Sequence, residues 1–229
     1  MGSFYLGAYW GCRKESASEC GQRLARCIAG LGAVDPVLGS WFLKGWSRKS
    51  AKTPVDASAV ALGELFAKGR NRRDFGGEVI EELGFSVGMW NRAKPEVGLS
   101  AGVGMYTPVV PNCFVLDFPA PDGDALRLFD PDAARAIFTI VVEAWEPAWA
   151  TWTSRRLREA QDDAAQVPVV GWLTYLRPAV RVDVPGATKW PLLDGSVVMI
   201  GRDATAVSEE AVRKARRRLS KAGSLRPIA

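Results

Sequence analysis

The chain of 229 residues contains no histidine. That absence removes Ser-His-Asp and Cys-His nucleophilic systems, the HExxH zinc pattern and the commonest general base near neutral pH. Cysteine is scarce, with Cys12, Cys20, Cys27 and Cys113, and no CxxC pair exists to begin a zinc site. Cys20 and Cys27 stand seven residues apart on one helical pattern, about 10 Å, which is too far for a disulfide. Reduced, mostly buried thiols are expected. No Asp-x-Lys or Glu-x-Lys occurs, neither a P-loop nor GxGxxG is present, and "GVGMYT" lacks both the Lys and the third Gly. Apolar runs stay well short of the roughly 18 residues that cross a bilayer. The opening "MGSFYLGAYWGCRK" has neither a signal-peptide core nor a myristoylation pattern, so a cytoplasmic protein is expected.

What remains is ample material for a packed domain: 48% hydrophobic residues and nine Trp. One domain over 1–229 is expected. The net charge of +5 is local. Residues 207–229 hold seven Lys/Arg against Glu209 and Glu210, leaving 23 basic and 23 acidic side chains elsewhere. This tail reads as a helix with Ser208 as N-cap, acidic residues in the first turn, basic ones in the last and Gly223 after its end. Ala211, Ala215, Leu219 and Ala222 form its small apolar face. A solvated terminal helix accounts for the charge better than a nucleic-acid contact.

Along the chain, 3–11 alternates like a strand. Ser16-Ala-Ser-Glu19 is a capping box, followed at helical spacing by Cys20, Leu24, Cys27, Ile28, Leu31 and Val34. Trp41, Phe42 and Trp46 suggest a short aromatic turn or helix. Asp56 can cap a second helix that stops at Gly69. The period then becomes two: 84–91, 99–107 and 112–118 read as an antiparallel meander. Its first two strands set Phe85, Val87, Met89, Leu99, Ala101, Val103 and Met105 on one face. Ser86, Gly88, Trp90, Ser100, Gly102, Gly104 and Tyr106 fall on the other, which is left to water or a partner.

Asp130-Pro131 opens an apolar helix stopped by Pro147, and Ser154 caps another to about Ala165. Trp145, Trp149 and Trp152 crowd together as a base-stacking platform would require, yet core packing leaves at most one of them free. Segments 169–177 and 195–201 add strands. The fold class is therefore α+β, with an antiparallel or mixed sheet of about five to six strands and helices mainly on one face. A metal role for Asp117, Asp122, Asp124, Asp130 and Asp132 is disfavoured, because EF-hand spacing is missing and Asp130 serves as a cap. Cys113 lies mid-strand without an activating base. No catalytic residue, cofactor or metal site is expected.

Several separate words, "GAYWGCRKESASEC", "WFLKGWSRKSA", "GRNRRDFGGEVIEELGFSVGMWN", "PNCFVLDFP", "VVEAWEPAW" and "GWLTYL", occur in an order and at a spacing that resembles the immunity protein 52 family. Cys12 stands where Pro or another small residue is expected. The resemblance implies an α+β immunity protein of a bacterial polymorphic toxin or type VI effector system. Such a protein is encoded beside, and neutralises, a toxin carrying a nuclease domain of restriction-endonuclease fold. A nuclease needs a basic cleft for phosphates, so its inhibitor is expected to offer carboxylates and aromatics.

Two regions meet that description: Asp74, Glu78, Glu81 and Glu82 with Trp90, and the acidic segment with Asp117, Asp122 and Asp124. Arg70, Arg72 and Arg73 are assigned to ion pairs that fix the turn before the meander. The rival reading is a nucleic-acid-binding protein that uses Arg70–Arg73 and the basic terminal helix; a carboxylate-only hydrolase ranks third.

Overall fold

The computed structural model describes residues 3–44, 53–161 and 167–228. Nine strands form one sheet: β1 (Phe4–Trp10), β2 (Phe42–Leu43), β3 (Phe85–Trp90), β4 (Gly98–Val103), β5 (Asn112–Phe118), β6 (Trp149–Ser154), β7 (Leu173–Leu176), β8 (Ala187–Leu192) and β9 (Gly195–Ile200). Their order is β2-β3-β4-β5-β1-β6-β7-β9-β8. The α+β class holds, but the sheet has nine strands where about five to six were expected. The additional strands have physical reasons to escape notice. β2 is two residues long, and β8 carries Pro191, which marks a terminal strand of a sheet rather than a central one.

Contacts gather the chain into two compact units, Tyr9–Leu116 and Met1–Ala8 with Asp117–Ile228. Each is described by itself.

In the first unit α1 (Ala17–Val34) starts on the capping box. The Glu19 amide donates to Ser16 Oγ at 3.2 Å, and the Ser16 amide donates to Glu19 Oε2 at 2.7 Å. Cys20, Leu24, Cys27, Ile28 and Leu31 are buried along one side. α2 (Ala59–Lys68) is capped by Ser58, whose Oγ accepts from the Ala61 amide at 3.3 Å. The expected cap, Asp56, instead accepts from the Ser58 amide at 2.8 Å. The two helices touch backbone to backbone, since a Cβ on Gly21 would fall 2.5 Å from the Gly63 nitrogen.

Of the aromatic segment, Phe42 lies in a strand rather than a turn or helix, because β3 offers a ladder: Phe42 pairs with Trp90 and Leu43 with Met89. Trp46 lies outside the described residues. β3 and β4 pair antiparallel from Phe85–Val103 to Trp90–Gly98. Phe85, Val87 and Met89 are buried and Ser86 is exposed, which is the expected alternation. Met105 breaks it, since Gly104 adopts φ +74° and the Met105 methyl comes within 3.0 Å of a Cβ placed on Gly102.

In the second unit Asp130 caps α3 (Pro131–Trp145) by accepting from the Asp132 and Ala133 amides. Every residue of β6, β7 and β9 is buried, so these strands are covered on both faces. Phe118 stacks on Trp152 at 4.7 Å, and Trp152 meets Trp172 edge-on at 5.6 Å. Trp145, Trp149 and Trp152 are all buried, which leaves no platform for bases there.

The helix expected after Ser154 is short, α4 (Arg155–Glu159), and its expected continuation at 162–165 lies outside the described residues. α5 (Glu209–Lys221) has Ser208 as N-cap and Gly223 beyond its end at φ +66°. It buries Val212, Ala215 and Leu219; Ala222 is exposed and Ala211 half-buried. Among the described residues no helix is long and apolar enough to cross a membrane.

Candidate functional site

In the first unit, the stretch from Gly69 to Ser86 leaves the end of α2 and returns into β3 as an irregular two-stranded excursion. Its base is tied by the Ser86 amide donating to Gly69 O at 2.8 Å and by Asn71 Nδ2 donating to Leu83 O at 2.7 Å. Isolated bridges join Arg70 to Phe85 and Arg72 to Val79. The Arg73 amide donates to Glu78 O at 2.9 Å and closes a four-residue tip, Asp74-Phe75-Gly76-Gly77. Gly76 and Gly77 take φ +83° and +66°, and no atom lies near where their Cβ would be. The pair is thus required by backbone conformation, not by space.

Arg70 NH1 lies 3.5 Å from Glu81 Oε1, and Arg73 Nε lies 3.9 Å from Glu78 Oε2, all four side chains well exposed. Arg72 donates to Gly77 O at 2.9 Å. The three guanidiniums therefore lie along their own loop. At such exposure each ion pair contributes under about 1 kcal/mol, so the backbone bonds carry most of the loop's definition. Asp74 and Glu82 are exposed and have no ion-pair partner among the described residues. Trp90 is half-buried, with Lys44 Nζ 4.8 Å over its ring.

Phe75, which the sequence reading did not single out, is 94% exposed and is the one aromatic among the exposed large apolar side chains described. The available signal was an aromatic set directly before Gly-Gly, with no apolar residue two positions away to share a face with it.

Asp117, Asp122 and Asp124 belong to the second unit. Asp117 is the exposed penultimate residue of β5, and Asp122 and Asp124 flank the start of a 3₁₀ segment, Gly123–Phe129. Arg127 is held there by donating to Asp124 O at 2.6 Å, and Leu126 is half-exposed beside them. Among the described residues no three acidic or thiol groups converge as a metal site.

Two of the thiols are poor nucleophiles. Burial pushes Cys20 up to about 12 and raises Cys113 above its ordinary value, while Cys12 is exposed. The basic helix α5 spends three of its four arginines locally. Arg213 donates to Ala160 O at 2.8 Å, Arg216 to Pro168 O at 2.9 Å and Arg218 to Asp183 O at 3.3 Å.

The family model for immunity protein 52 matches residues 2–228. The chain belongs to the immunity protein 52 family. Membership makes it an immunity protein, whose counterpart is a cognate toxin. No curated protein sequence matches the chain. Among solved structures, a Pseudomonas aeruginosa T6SS protein is similar at a TM-score of 0.57 and 13% identity, over 100% of this chain and 80% of that one. At that identity the likeness is one of fold.

Proposed function

We propose that this immunity protein 52 member neutralises a nuclease toxin of restriction-endonuclease fold by binding it stoichiometrically, in the cytoplasm of the bacterium that makes both. The reading assigns the chain no reaction of its own. What supports it is the family match across residues 2–228, and the T6SS protein with a similar fold accords with it. The contact regions we assign, each on its own unit, are the tip region with Asp74, Glu78, Glu81, Glu82 and Trp90 in the first and Asp117, Asp122 and Asp124 of the acidic segment in the second. Carboxylates there steer a basic phosphate-binding cleft into place. Arg70, Arg72 and Arg73 we assign to the turn, as minor additions to the shape that its backbone bonds set.

A complex of this kind buries about 1,600 Å² and binds at nanomolar strength or tighter. The test is co-expression with the adjoining gene's product, pull-down, and a plasmid-cleavage assay with excess purified protein. Protection of the plasmid is expected; undiminished cleavage would end the proposal.

A further inference from the structure

We infer that Phe75 is the anchor by which this protein seizes its toxin: an apolar pocket rimmed by basic side chains, on the toxin, takes up the ring. The inference rests on the toxin-binding reading above and adds to it a residue and a chemistry.

Three observations converge on the ring. First, it is 94% exposed and yet sits on a tip whose shape is specified in detail: a closing backbone bond from Arg73 to Glu78, a bridge from Arg72 to Val79, and two glycines at positive φ. A phenyl group held out on a defined turn contributes nothing to the folded chain by burial. Solubility would favour a polar residue there.

Second, the surroundings are those of an interface centre rather than of a core. Asp74 adjoins the ring in sequence, Glu78 stands across the closed turn, and Glu81 and Glu82 follow at the base, all exposed. An aromatic at the middle of a charged rim is the usual composition of an energetic hot spot, where the rim excludes water from the buried ring.

Third, the rim has a sign. Four carboxylates, Asp74, Glu78, Glu81 and Glu82, stand against Arg70, Arg72 and Arg73; Arg70 faces Glu81 and Arg73 faces Glu78, which leaves Asp74 and Glu82, neither in an ion pair among the described residues, against Arg72 alone. The occupant therefore supplies cations around an apolar pocket. The phosphate-gripping surface of a nuclease carries such cations. Anionic lipid is disfavoured by the same carboxylates.

The experiment titrates the full chain against the catalytically inactivated toxin domain encoded by the adjoining gene. It compares wild type, Phe75→Ala and Phe75→Leu, with thermal unfolding of each and sedimentation of each chain alone. Phe75→Ala is expected to weaken the complex by roughly thirty-fold or more. Phe75→Leu should retain most of the affinity, and both variants should melt within a degree or two of wild type. Equal binding by wild type and Phe75→Ala would overturn the anchor while leaving the toxin-binding reading intact. A wild-type chain that does not bind would overturn both. A wild-type dimer that Phe75→Ala converts to monomer would also overturn the anchor, because the ring would then belong to a second copy of this chain.

Discussion

Glu15 holds two arginines at once: Arg23 Nε lies 2.6 Å from its Oε1 and Arg13 Nε lies 2.9 Å from its Oε2. The carboxylate is nearly buried, with 8% of its side chain exposed, and the Arg13 guanidinium also rests 4.7 Å over the Trp10 ring. The Arg-Lys-Glu-Ser stretch after β1 is thus a clamp that fixes where the chain leaves the sheet and enters α1. Removing the central charge leaves two guanidiniums, each three-quarters or more buried, facing one another. Glu15→Ala is expected to cost about 2–4 kcal/mol, somewhat below the range for breaking a fully buried pair because both arginines keep some exposure. Urea unfolding would show a lowered midpoint at unchanged slope; a midpoint equal to wild type would mean that the three groups do not act together.

Leu193 occupies the two-residue turn between β8 and β9 at φ +49°, and it is 52% exposed. Leu192 pairs with Gly195, so the loop is Leu193-Asp194, the kind of turn that favours Asn or Gly at its first position. A leucine there neither packs fully nor suits the backbone. Leu193→Gly or Leu193→Asn is expected to stabilise the chain by about 0.5–1 kcal/mol. Thermal unfolding would report a raised midpoint, and an unchanged or lowered one would show that the leucine packs better than its exposure implies.

The contrast between these two residues marks how far the sequence could be read. The capping box Ser16–Glu19, the α3 cap at Asp130 and the two-residue period of β3 were all visible, because each is a local pattern with a local cause. β2 and β8 were not, because their pairing is decided by neighbours: Phe42 becomes a strand only beside Trp90, and Lys189 only beside Val198. The face of α5 shifted from Ala211 and Ala222 to Val212 for the same reason. At the candidate site the charges stood out in sequence, but Phe75 did not. Whether an isolated aromatic is inside or outside depends on tertiary contacts that no spacing encodes.

Glu19 carries a pH dependence. The Ser16 amide and then the Ser16 hydroxyl bond to its carboxylate and hold it below its ordinary value of 4.5. A depressed folded-state value means that the cap's contribution is full above the unfolded value and is lost as pH falls through the folded one. The stability difference between wild type and Glu19→Gln should therefore be present at neutral pH and close progressively below about pH 4.5. Melting curves of both proteins between pH 7 and pH 3 check it; a difference that widened toward acid would reverse the sign.

The basic charge of α5 has two readings that one residue can separate. Arg216 is half-buried and donates through NH1 to Pro168 O at 2.9 Å and to Gln161 Oε1 at 3.3 Å, and that glutamine in turn spans the backbone of Leu157 and Val170. Arg217, one position on, is exposed to solvent. If the helix's charge serves the fold, the two are unequal: Arg216→Ala should cost about 1–2 kcal/mol, in the range for hydrogen bonds from a charged donor, and Arg217→Ala within about 0.5 kcal/mol of nothing. If instead the helix gripped phosphates, exposure would decide, and Arg217→Ala would lower retention on duplex DNA at low salt and flatten its salt dependence. Unfolding midpoints and a low-salt gel shift on the same two variants read both quantities. The bonds made by Arg213, Arg216 and Arg218 to backbone carbonyls favour the first pattern, with DNA retention negligible in all three proteins.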